Sequence, residues 1–351
     1  MAQTDNFIIN REDPILVTGA AGFIGPRVVQ SLLRHGFRNV RCLTRSPRST
    51  QRLSAAVAGY GEQGCLEILS GNLLSSEDCA AATANIAVIY HLAAGAGEKS
   101  VPAAFLNSVV TTRNLLDAAL KQNGVVRFVN VSSLAVYDNA KKRKGVLDET
   151  CPIDLQPECF GDAYEFAKVK QDKIVSEYAK KFNIPIVTVR PGFVYGPGRS
   201  AISGRVGIGT FGLFLHLGGP NEIPLTFVDN CAEAIVLAGL KPGIEGEVFN
   251  VIDDDLPSSR NLLRLYKRNV KRFRSLYLPH ALSYLLCTMW EWYSAYSDRQ
   301  LPPAFSRKRW YRYWKKTRYS NKKVKTQLDW APHVLTGEGL ARYFESCRSA
   351  R

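Results

Sequence analysis

The sequence predicts an α/β protein built on a doubly wound parallel sheet, with a smaller C-terminal domain. Short runs of β-branched residues alternate with helical patterns, and a glycine-rich turn follows the first run. The 351 residues are enough for two domains. With 46% hydrophobic and 22% charged residues, collagen-like, disulfide-stapled and disordered chains are excluded.

Apolar runs of the kind found in strands buried on both faces locate the sheet. They lie at residues 15–18, 40–43, 87–92, 128–131 and 186–189, and helical patterns lie between them at 28–34, 111–121 and 163–182. Alternation of this kind implies right-handed crossovers between parallel strands. We place a first domain at residues 1–190 and a second region at 191–351, with 224–256 expected to return to the main sheet.

Charge is distributed unevenly along the chain. The net charge is +15, yet residues 260–351 alone hold 21 Lys/Arg against five Asp/Glu. A globular body with a basic C-terminal part is therefore expected. The eight cysteines form no Cys-x-x-Cys pair and no cluster at metal spacing, and the first ten residues hold no apolar run. We expect a cytosolic protein with reduced thiols, no secretory signal and no metal.

One glycine pattern has the context of a phosphate-binding turn. Gly19-x-x-Gly22-x-x-Gly25 follows the first strand and opens a helix, whereas similar patterns beginning at Gly59 and Gly207 do not. Without side chains, the backbone N–H groups and the positive end of the helix can approach a pyrophosphate. The body is thus predicted to be a Rossmann-like domain that binds NAD(P). The simpler alternative is a tight turn with close helix packing.

The end of the second strand bears on cofactor preference. Enzymes that use NAD commonly place an acid there for the ribose 2′-hydroxyl, but this chain has Thr44 followed by Arg45, with Arg48 close by. A 2′-phosphate would find charge-assisted partners and no repelling acid. The sequence therefore favours NADP(H), the alternative being that Arg45 is merely exposed.

Tyr-x-x-x-Lys occurs four times, so only the location of each copy in the predicted fold can distinguish them. Tyr164 and Lys168 lie near the start of a long helix, and Ser133 follows the preceding strand. A spacing of four places Tyr164 and Lys168 on one helical face, and the parallel sheet would bring Ser133 beside them. An ammonium about 4 to 5 Å away contributes about 3 to 4 kcal/mol toward ionising a phenol. The three residues are predicted to transfer a proton; the alternative is a solvated Tyr and Lys.

These motifs resemble the extended short-chain dehydrogenase/reductase family, including its epimerase/dehydratase and 3β-hydroxysteroid-dehydrogenase-like branches. The likeness runs from residue 15 to about residue 342 and includes Phe227-Val-Asp-Asn230 and Gln327-Leu-Asp-Trp-Ala-Pro332. Together with the reasoning on Arg45, the resemblance implies a catalytic Ser133, Tyr164 and Lys168 and a larger cofactor-binding set. That set is Thr18, Gly19, Gly22, Phe23, Ile24, Gly25, Arg45, Asn72, Leu73, Leu92, Ala93, Ala94, Tyr164, Lys168, Pro191 and Gly192.

Three departures from the family pattern matter. Asn72 replaces the family's aspartate near the adenine, which removes a charge but keeps hydrogen bonding. In the Asn-x-x-Gly-Thr helix, Asn107 stands one place early and Ser108 is in register, so that asparagine receives no role. Sugar-nucleotide members often carry Arg-x-x-Asn where this chain has Arg190-Pro-Gly-Phe193, which weakens a sugar-nucleotide interpretation.

A basic amphipathic segment is predicted at residues 277–328. Its apolar stripe consists of Leu282, Leu285, Leu286, Met289, Tyr293 and Tyr296, and residues 299–328 hold 11 Lys/Arg and no acid. The stripe is too short to span a membrane. It could pack on the substrate domain, or residues 280–328 could contact an anionic membrane peripherally. Nucleic acid is the third alternative and is not expected.

Taken together, we expect an NAD(P)-dependent oxidoreductase that transfers hydride to or from a secondary alcohol or ketone of a small hydrophobic or lipid-linked substrate. A nucleotide-sugar epimerase or dehydratase with the same site is the alternative, followed by a cofactor-binding regulator without turnover. The resemblance also implies a homodimer. The expected location is the cytoplasm, or the inner face of a membrane if the basic segment binds lipid.

Overall fold

A computed structural model describes residues 6–60, 65–95, 97–98, 100–141, 145–154, 162–199, 202–210, 212–297 and 305–349. Its strands are β1 Ile15–Thr18, β2 Val40–Thr44, β3 Leu66–Ser70, β4 Val88–His91, β5 Arg127–Val131, β6 Val146–Leu147, β7 Ile186–Pro191, β8 Phe193–Tyr195, β9 Gly207–Thr210, β10 Leu213–His216, β11 Leu225–Phe227, β12 Val248–Val251, β13 Ser275–Tyr277 and β14 Arg318–Tyr319. Its helices are α1 Gly25–Arg34, α2 Pro47–Val57, α3 Ser76–Thr83, α4 Val101–Phe105, α5 Thr111–Leu120, α6 Ala163–Phe182, α7 Val228–Leu240, α8 Ser259–Asn269, α9 His280–Tyr296, α10 Arg307–Tyr313, α11 Lys322–Leu328 and α12 Thr336–Ser349.

The main sheet is parallel, with strand order β3-β2-β1-β4-β5-β7-β12. Strands β1, β4, β5 and β7 are buried along their whole length. Helices on both faces explain why such strands appear as continuous apolar runs in the sequence. The predicted fold class, a Rossmann-like doubly wound α/β sheet, is confirmed. Strand order reverses between β1 and β4, and in sheets of this kind ligands bind at the carboxyl ends beside that point.

The strands predicted from the sequence agree with β1, β2, β4, β5 and β7 to within two residues at each end. Helix α6 has the predicted bounds, while α1 begins three residues earlier than predicted, at Gly25. Strand β12 lies within residues 224–256 and pairs with β7, so this segment does return to the main sheet. Strand β3 was not predicted and forms the other edge of the sheet.

Helix α6 carries Tyr164 and Lys168, and local chemistry sets its ends. The side chain of Asp162 accepts a hydrogen bond from the backbone N–H of Tyr164 at 3.0 Å, which caps the first turn. Asn183 follows the last turn in the left-handed conformation, with φ of 53°. Tyr164 is therefore held in the first turn of a well-defined helix.

Short strand pairs build the C-terminal region, and one of them joins it to the body. Strand β8 pairs with β11, and β10 pairs with both β9 and β13. Strand β14, which belongs to the basic segment, pairs with β6 so that Tyr319 lies opposite Leu147. The described part of the basic segment thus contacts the first half of the chain; residues 298–304 of that segment lie outside the described ranges.

Buried ion pairs fix α10 against α6. Arg312 is 6% exposed and pairs with Glu165 of α6 and, at 3.1 Å, with Asp154. Lys308 also pairs with Asp154, at 2.6 Å. Because Glu165 directly follows Tyr164, these pairs anchor the basic segment beside the predicted catalytic group. Charges buried in this way are tolerated only while their partners are present.

Replacing Arg312 by methionine should therefore destabilise the protein strongly. Arg312→Met leaves two buried carboxylates without their shared guanidinium, and the expected loss in free energy of unfolding is about 3 to 5 kcal/mol. Urea unfolding followed by tryptophan fluorescence measures it. As a control, Lys173→Met removes an exposed ion pair of α6, 3.8 Å from Glu177, and should cost about 0.5 kcal/mol or less. Equal losses in the two variants would contradict the assigned role.

Candidate active site

The glycine turn between β1 and α1 is too tight for side chains. Gly19 has φ of +69°, and a Cβ atom added there would lie 2.7 Å from the backbone N of Ala93. A Cβ on Gly25 would lie 2.3 Å from the carbonyl oxygen of Gly19. These contacts explain why both positions are glycine. Because no side chain intervenes there, a ligand can reach the backbone N–H groups at the N-terminus of α1. The turn therefore fits the pyrophosphate of a dinucleotide.

Other residues of the predicted cofactor-binding set lie at the same edge of the sheet. Thr18 ends β1, and its carbonyl oxygen accepts a hydrogen bond from the N–H of Leu92 at 3.2 Å. The residues that follow β4, Leu92 to Ala94, are partly buried. Phe23 and Ile24, in the turn before α1, are partly buried as well. These positions meet because carboxyl ends of parallel strands share one edge.

Asn72 and Leu73 follow β3 at this edge. The side-chain oxygen of Asn72 accepts from the N–H of Leu74 at 3.1 Å, so it shapes its own turn. Leu73 is 6% exposed. On the other side of the crevice, Pro191 ends β7, and a Cβ on Gly192 would lie 2.2 Å from the carbonyl oxygen of Pro224. Gly192 is thus another position where backbone must approach backbone closely.

Arg45 is exposed just beyond β2, as is Arg48. The guanidinium of Arg45 donates to the side-chain oxygen of Asn107 at 3.4 Å. Thr44 is buried, and its hydroxyl is hydrogen-bonded to that of Thr50 at 2.8 Å. Thr44 therefore supports α2, and the group available to a ribose substituent at this strand end is the Arg45 side chain.

The structure brings Ser133 and Tyr164 together. The Ser133 hydroxyl lies near enough to Tyr164 to lower the pKa of its phenol, and it accepts a hydrogen bond from the N–H of Ala135 at 3.2 Å. Burial raises the pKa of Tyr164 to about 12, although the Ser133 hydroxyl and the charge of Arg199 act in the opposite direction. At neutral pH the Tyr164 hydroxyl is thus protonated in the protein without a ligand.

Lys168 is 3% exposed and points at the sheet. Its ammonium donates to the carbonyl oxygen of Val131 at 2.7 Å and to the side-chain oxygen of Gln171 at 2.8 Å. Burial lowers its pKa to about 8, while the charge of Asp172 opposes that shift. The sequence predicted that Lys168 acidifies Tyr164. That effect stays a prediction; in the structure Lys168 is directed toward β5, and the charge of Arg199 is one that lowers the pKa of Tyr164.

A continuous buried chain of hydrogen bonds joins Lys168 to the end of β1. Gln171 accepts from Lys168 and donates to the Thr112 hydroxyl at 2.8 Å. The two ring nitrogens of His91 then bond to the hydroxyls of Thr112 and Thr18, each at 2.8 Å. Burial, with the charge of Lys168, lowers the pKa of His91 to about 3, so its ring is neutral. The network thus connects the glycine turn with α6.

Two neighbours of the site come from distant parts of the chain. Arg199 lies over the ring of Phe23 at 5.2 Å, and Tyr313 of α10 contributes to the raised pKa of Tyr164. Sequence reasoning did not single out either residue, and no local pattern marks them. Gln171 was also missed, although its spacing of three from Lys168 on one helical face could have indicated a contact.

Fold and site together define a dinucleotide-binding α/β enzyme of the short-chain dehydrogenase/reductase type. The model of the NAD dependent epimerase/dehydratase family matches residues 15–251. The chain belongs to that family. The family depends on an NAD-type cofactor.

Relatives of this chain are named for different substrates. The chain is 28% identical over 250 residues to the uncharacterized UDP-glucose epimerase YtcB of Bacillus subtilis, covering 68% of this chain and 76% of that protein. It is 32% identical over 192 residues to the 3 beta-hydroxysteroid dehydrogenase/Delta 5-->4-isomerase of Mycobacterium tuberculosis, covering 52% of this chain and 48% of that one. The alignment thus spans about half of the mycobacterial enzyme.

The fold is also that of a solved epimerase. The UDP-glucuronic acid 4-epimerase from Bacillus cereus, crystallised with UDP-glucuronic acid and NAD, superposes with a TM-score of 0.71 at 23% identity. The match covers 96% of this chain and all of that one. At this identity the likeness establishes the fold.

The contact between Gln171 and Lys168 predicts a change in titration. Gln171→Met removes the acceptor that stabilises the ammonium, so the pKa of Lys168 should fall below its value of about 8. Gln171→Glu should raise it. Carbon-13 lysine NMR titration, assigned with Lys168→Met, measures both. The ammonium form disappears as pH rises, and it should disappear at lower pH in the methionine variant. Unchanged midpoints in both variants would remove Gln171 from this role.

Proposed function

We propose that this protein is an oxidoreductase that transfers hydride to or from a secondary alcohol or ketone on a hydrophobic or lipid-linked substrate. The observation that supports it most is the proximity of two hydroxyls, those of Ser133 and Tyr164, at the sheet edge that also carries the glycine turn. When bound, the nicotinamide cofactor supplies the hydride donor or acceptor. The protein's own residues manage the substrate oxygen and its proton.

Ser133 and Tyr164 would act on the same substrate oxygen. The Ser133 hydroxyl donates a hydrogen bond to that oxygen, where negative charge develops during reduction of a ketone. Tyr164 delivers the proton that converts the oxygen to an alcohol, and it removes that proton in the reverse direction. Tyr164 is protonated at neutral pH, so it has a proton to give in the direction of reduction. In the reverse direction, the cation of Arg199 would stabilise the phenolate.

Lys168 would position Ser133 and Tyr164 through its contact with the end of β5. Its ammonium ties α6 to the carbonyl oxygen of Val131, the residue two places before Ser133. The same ammonium fixes the relative position of the strand that carries Ser133 and the helix that carries Tyr164. The network through Gln171 extends that constraint to the residues around the glycine turn. Positioning of this kind matters because an offset of about 1 Å can cost a hundredfold in rate.

An aromatic neighbour of Tyr164 supports an apolar substrate. Tyr313 of α10 lies near enough to Tyr164 to act on its pKa. Phe193 stands where related sugar-nucleotide enzymes often carry an asparagine. The mycobacterial relative is named for a steroid, which is an apolar alcohol substrate.

The second candidate is an epimerase acting on a nucleotide sugar. It is supported by the similarity to YtcB and to the epimerase of known structure. In an epimerase the cofactor is restored within each turnover, so no net change in absorbance of reduced nicotinamide accompanies the reaction. A dehydrogenase changes that absorbance in proportion to product. Assays of ketone and nucleotide-sugar substrates at this wavelength separate the two.

Replacing Tyr164 by phenylalanine should lower turnover strongly while the cofactor still binds. The substitution removes one hydroxyl that general acid catalysis requires, and the expected loss of kcat is about 10²-fold to 10⁴-fold. Steady-state kinetics measure the loss of kcat, and calorimetric titration measures binding of the cofactor. Tyr178→Phe is the matched control, because Tyr178 lies on the same helix and bonds only to Asp117 among the contacts described for its hydroxyl. A Tyr164→Phe enzyme with full activity would falsify the assignment.

We further propose a preference for NADP(H) over NAD(H), which rests on the exposed Arg45 at the end of β2. Reversing its charge in Arg45→Asp should weaken NADP(H) binding about tenfold or more and affect NAD(H) much less, since only NADP(H) carries the 2′-phosphate. Dissociation constants for both cofactors measure this. Arg52→Asp, an exposed position further along α2, serves as the control. If Arg45→Asp binds NADP(H) as tightly as the natural protein does, the preference has another origin.

A further inference from the structure

Helix α9 turns its apolar side to solvent. Large side chains recur along this side at helical spacing, and each residue is 42% to 78% exposed. They are Leu282, Leu285, Leu286, Met289, Trp292, Tyr293 and Tyr296, and we call this set the apolar face. A surface helix of a globular protein normally packs its apolar stripe on the core. An exposed patch of this kind marks an interaction site.

The polar side of α9 packs on the protein. Ser283, Cys287 and Ser294 are at most 3% exposed. The indole N–H of Trp310 in α10 donates to the Ser283 hydroxyl at 2.9 Å, and the Trp310 ring packs edge-on against Tyr284 at 5.0 Å. The alternative in which the stripe packs on the substrate domain is therefore wrong. Small residues, together with Tyr284, therefore fix the helix with its apolar side outward.

A cationic segment leads directly into the apolar face. Residues 264–274 hold six Lys/Arg, and the sequence has no Asp or Glu from residue 256 to 290. Lys271, Arg272 and Arg274 are exposed, and we call these three the cationic rim. Strand β13 follows, with Leu276 51% exposed and Tyr277 39% exposed. Exposed cations and exposed apolar side chains are thus adjacent along the chain.

We propose that the apolar face and the cationic rim dock the protein on the surface of an anionic lipid bilayer, with α9 lying in the plane of the interface. Anionic headgroups would neutralise the rim, and the leucine and methionine side chains would enter the acyl boundary. Trp292 and Tyr296, whose rings stack at 6.0 Å, suit the headgroup level, where aromatic residues concentrate. Of the helices described, none combines the length and hydropathy needed to cross a bilayer.

A bilayer fits this surface better than a second copy of the chain does. A two-fold contact would cover the apolar face, but it would bring two basic surfaces together and supply no opposite charge for the cationic rim. An anionic bilayer instead offers negatively charged headgroups for the rim and an apolar acyl region for the leucines. Nucleic acid could neutralise the rim but would leave the leucines of the apolar face uncovered.

The docking surface lies one helix away from the candidate active site. Tyr284 of α9 packs on Trp310 of α10, and α10 also carries Tyr313, which acts on the pKa of Tyr164. A docked enzyme would therefore hold its site close to the phase in which an apolar substrate dissolves. Docking itself does not depend on the proposed reaction, and it can be tested without substrate.

Co-sedimentation of the full chain with lipid vesicles tests the proposal. Binding is expected to vesicles of phosphatidylcholine with phosphatidylserine and to be at least about tenfold weaker to phosphatidylcholine alone. The combined variant Leu285→Ser, Met289→Ser and Trp292→Ser should lose binding to both. Reversing the rim with Lys271→Glu, Arg272→Glu and Arg274→Glu should remove the preference for phosphatidylserine. Leu335→Ser, at an exposed leucine outside α9, is the matched control and should bind normally.

Two further measurements complete the test. Unchanged cofactor affinity shows that each variant is folded, and a blue shift of tryptophan emission on vesicles should disappear in Trp292→Phe. The proposal is overturned if the natural chain fails to sediment with phosphatidylserine vesicles, or if neither combined variant changes binding. It is also overturned if ultracentrifugation shows a dimer that the apolar-face variant dissolves while vesicle binding is absent. Tight binding to duplex DNA with no vesicle binding would likewise reassign the rim.

Discussion

The crevice is organised around one buried ammonium. Lys168 is removed from solvent, and its charge is tolerated because Val131 and Gln171 accept its hydrogen bonds and Asp172 lies nearby. Through Thr112 and His91 the same network reaches the glycine turn. The glycine turn and the proposed proton-transfer group are therefore coupled through one polar network inside the sheet.

Much of this architecture could be predicted from sequence because it rests on local rules. Strands buried on both faces must be continuously apolar, which marks β1, β4, β5 and β7. Gly19 and Gly25 stand where backbone meets backbone, and a turn of that kind restricts residue type. Strand β3 escaped prediction because it is an edge strand: Glu67 and Ser70 are exposed, so its sequence lacks an apolar run. The positions of Ser133, Tyr164 and Lys168 followed from strand order and helical spacing.

What could not be predicted depends on contacts between distant residues. Arg312 meets Glu165 across nearly half of the chain, and neither residue has a neighbour in sequence that indicates the pair. Arg199 and Tyr164 are also distant in sequence, so only the folded chain brings the charge of Arg199 near Tyr164. The periodicity of α9 revealed an apolar stripe, but periodicity carries no information about which side faces the protein. Ser283 and Cys287 settled that question through packing, contrary to the usual rule for surface helices.

The ion pairs of Arg312 bear on how such enzymes can diversify. The family match ends at residue 251, yet the counter-ions of Asp154 and Glu165 come from residues 308 and 312. The matched part of this chain is therefore electrostatically incomplete by itself. A different C-terminal part could replace this one only if it also delivered positive charge next to Tyr164. The choice of that part is thus constrained by charge balance as well as by the shape of the substrate.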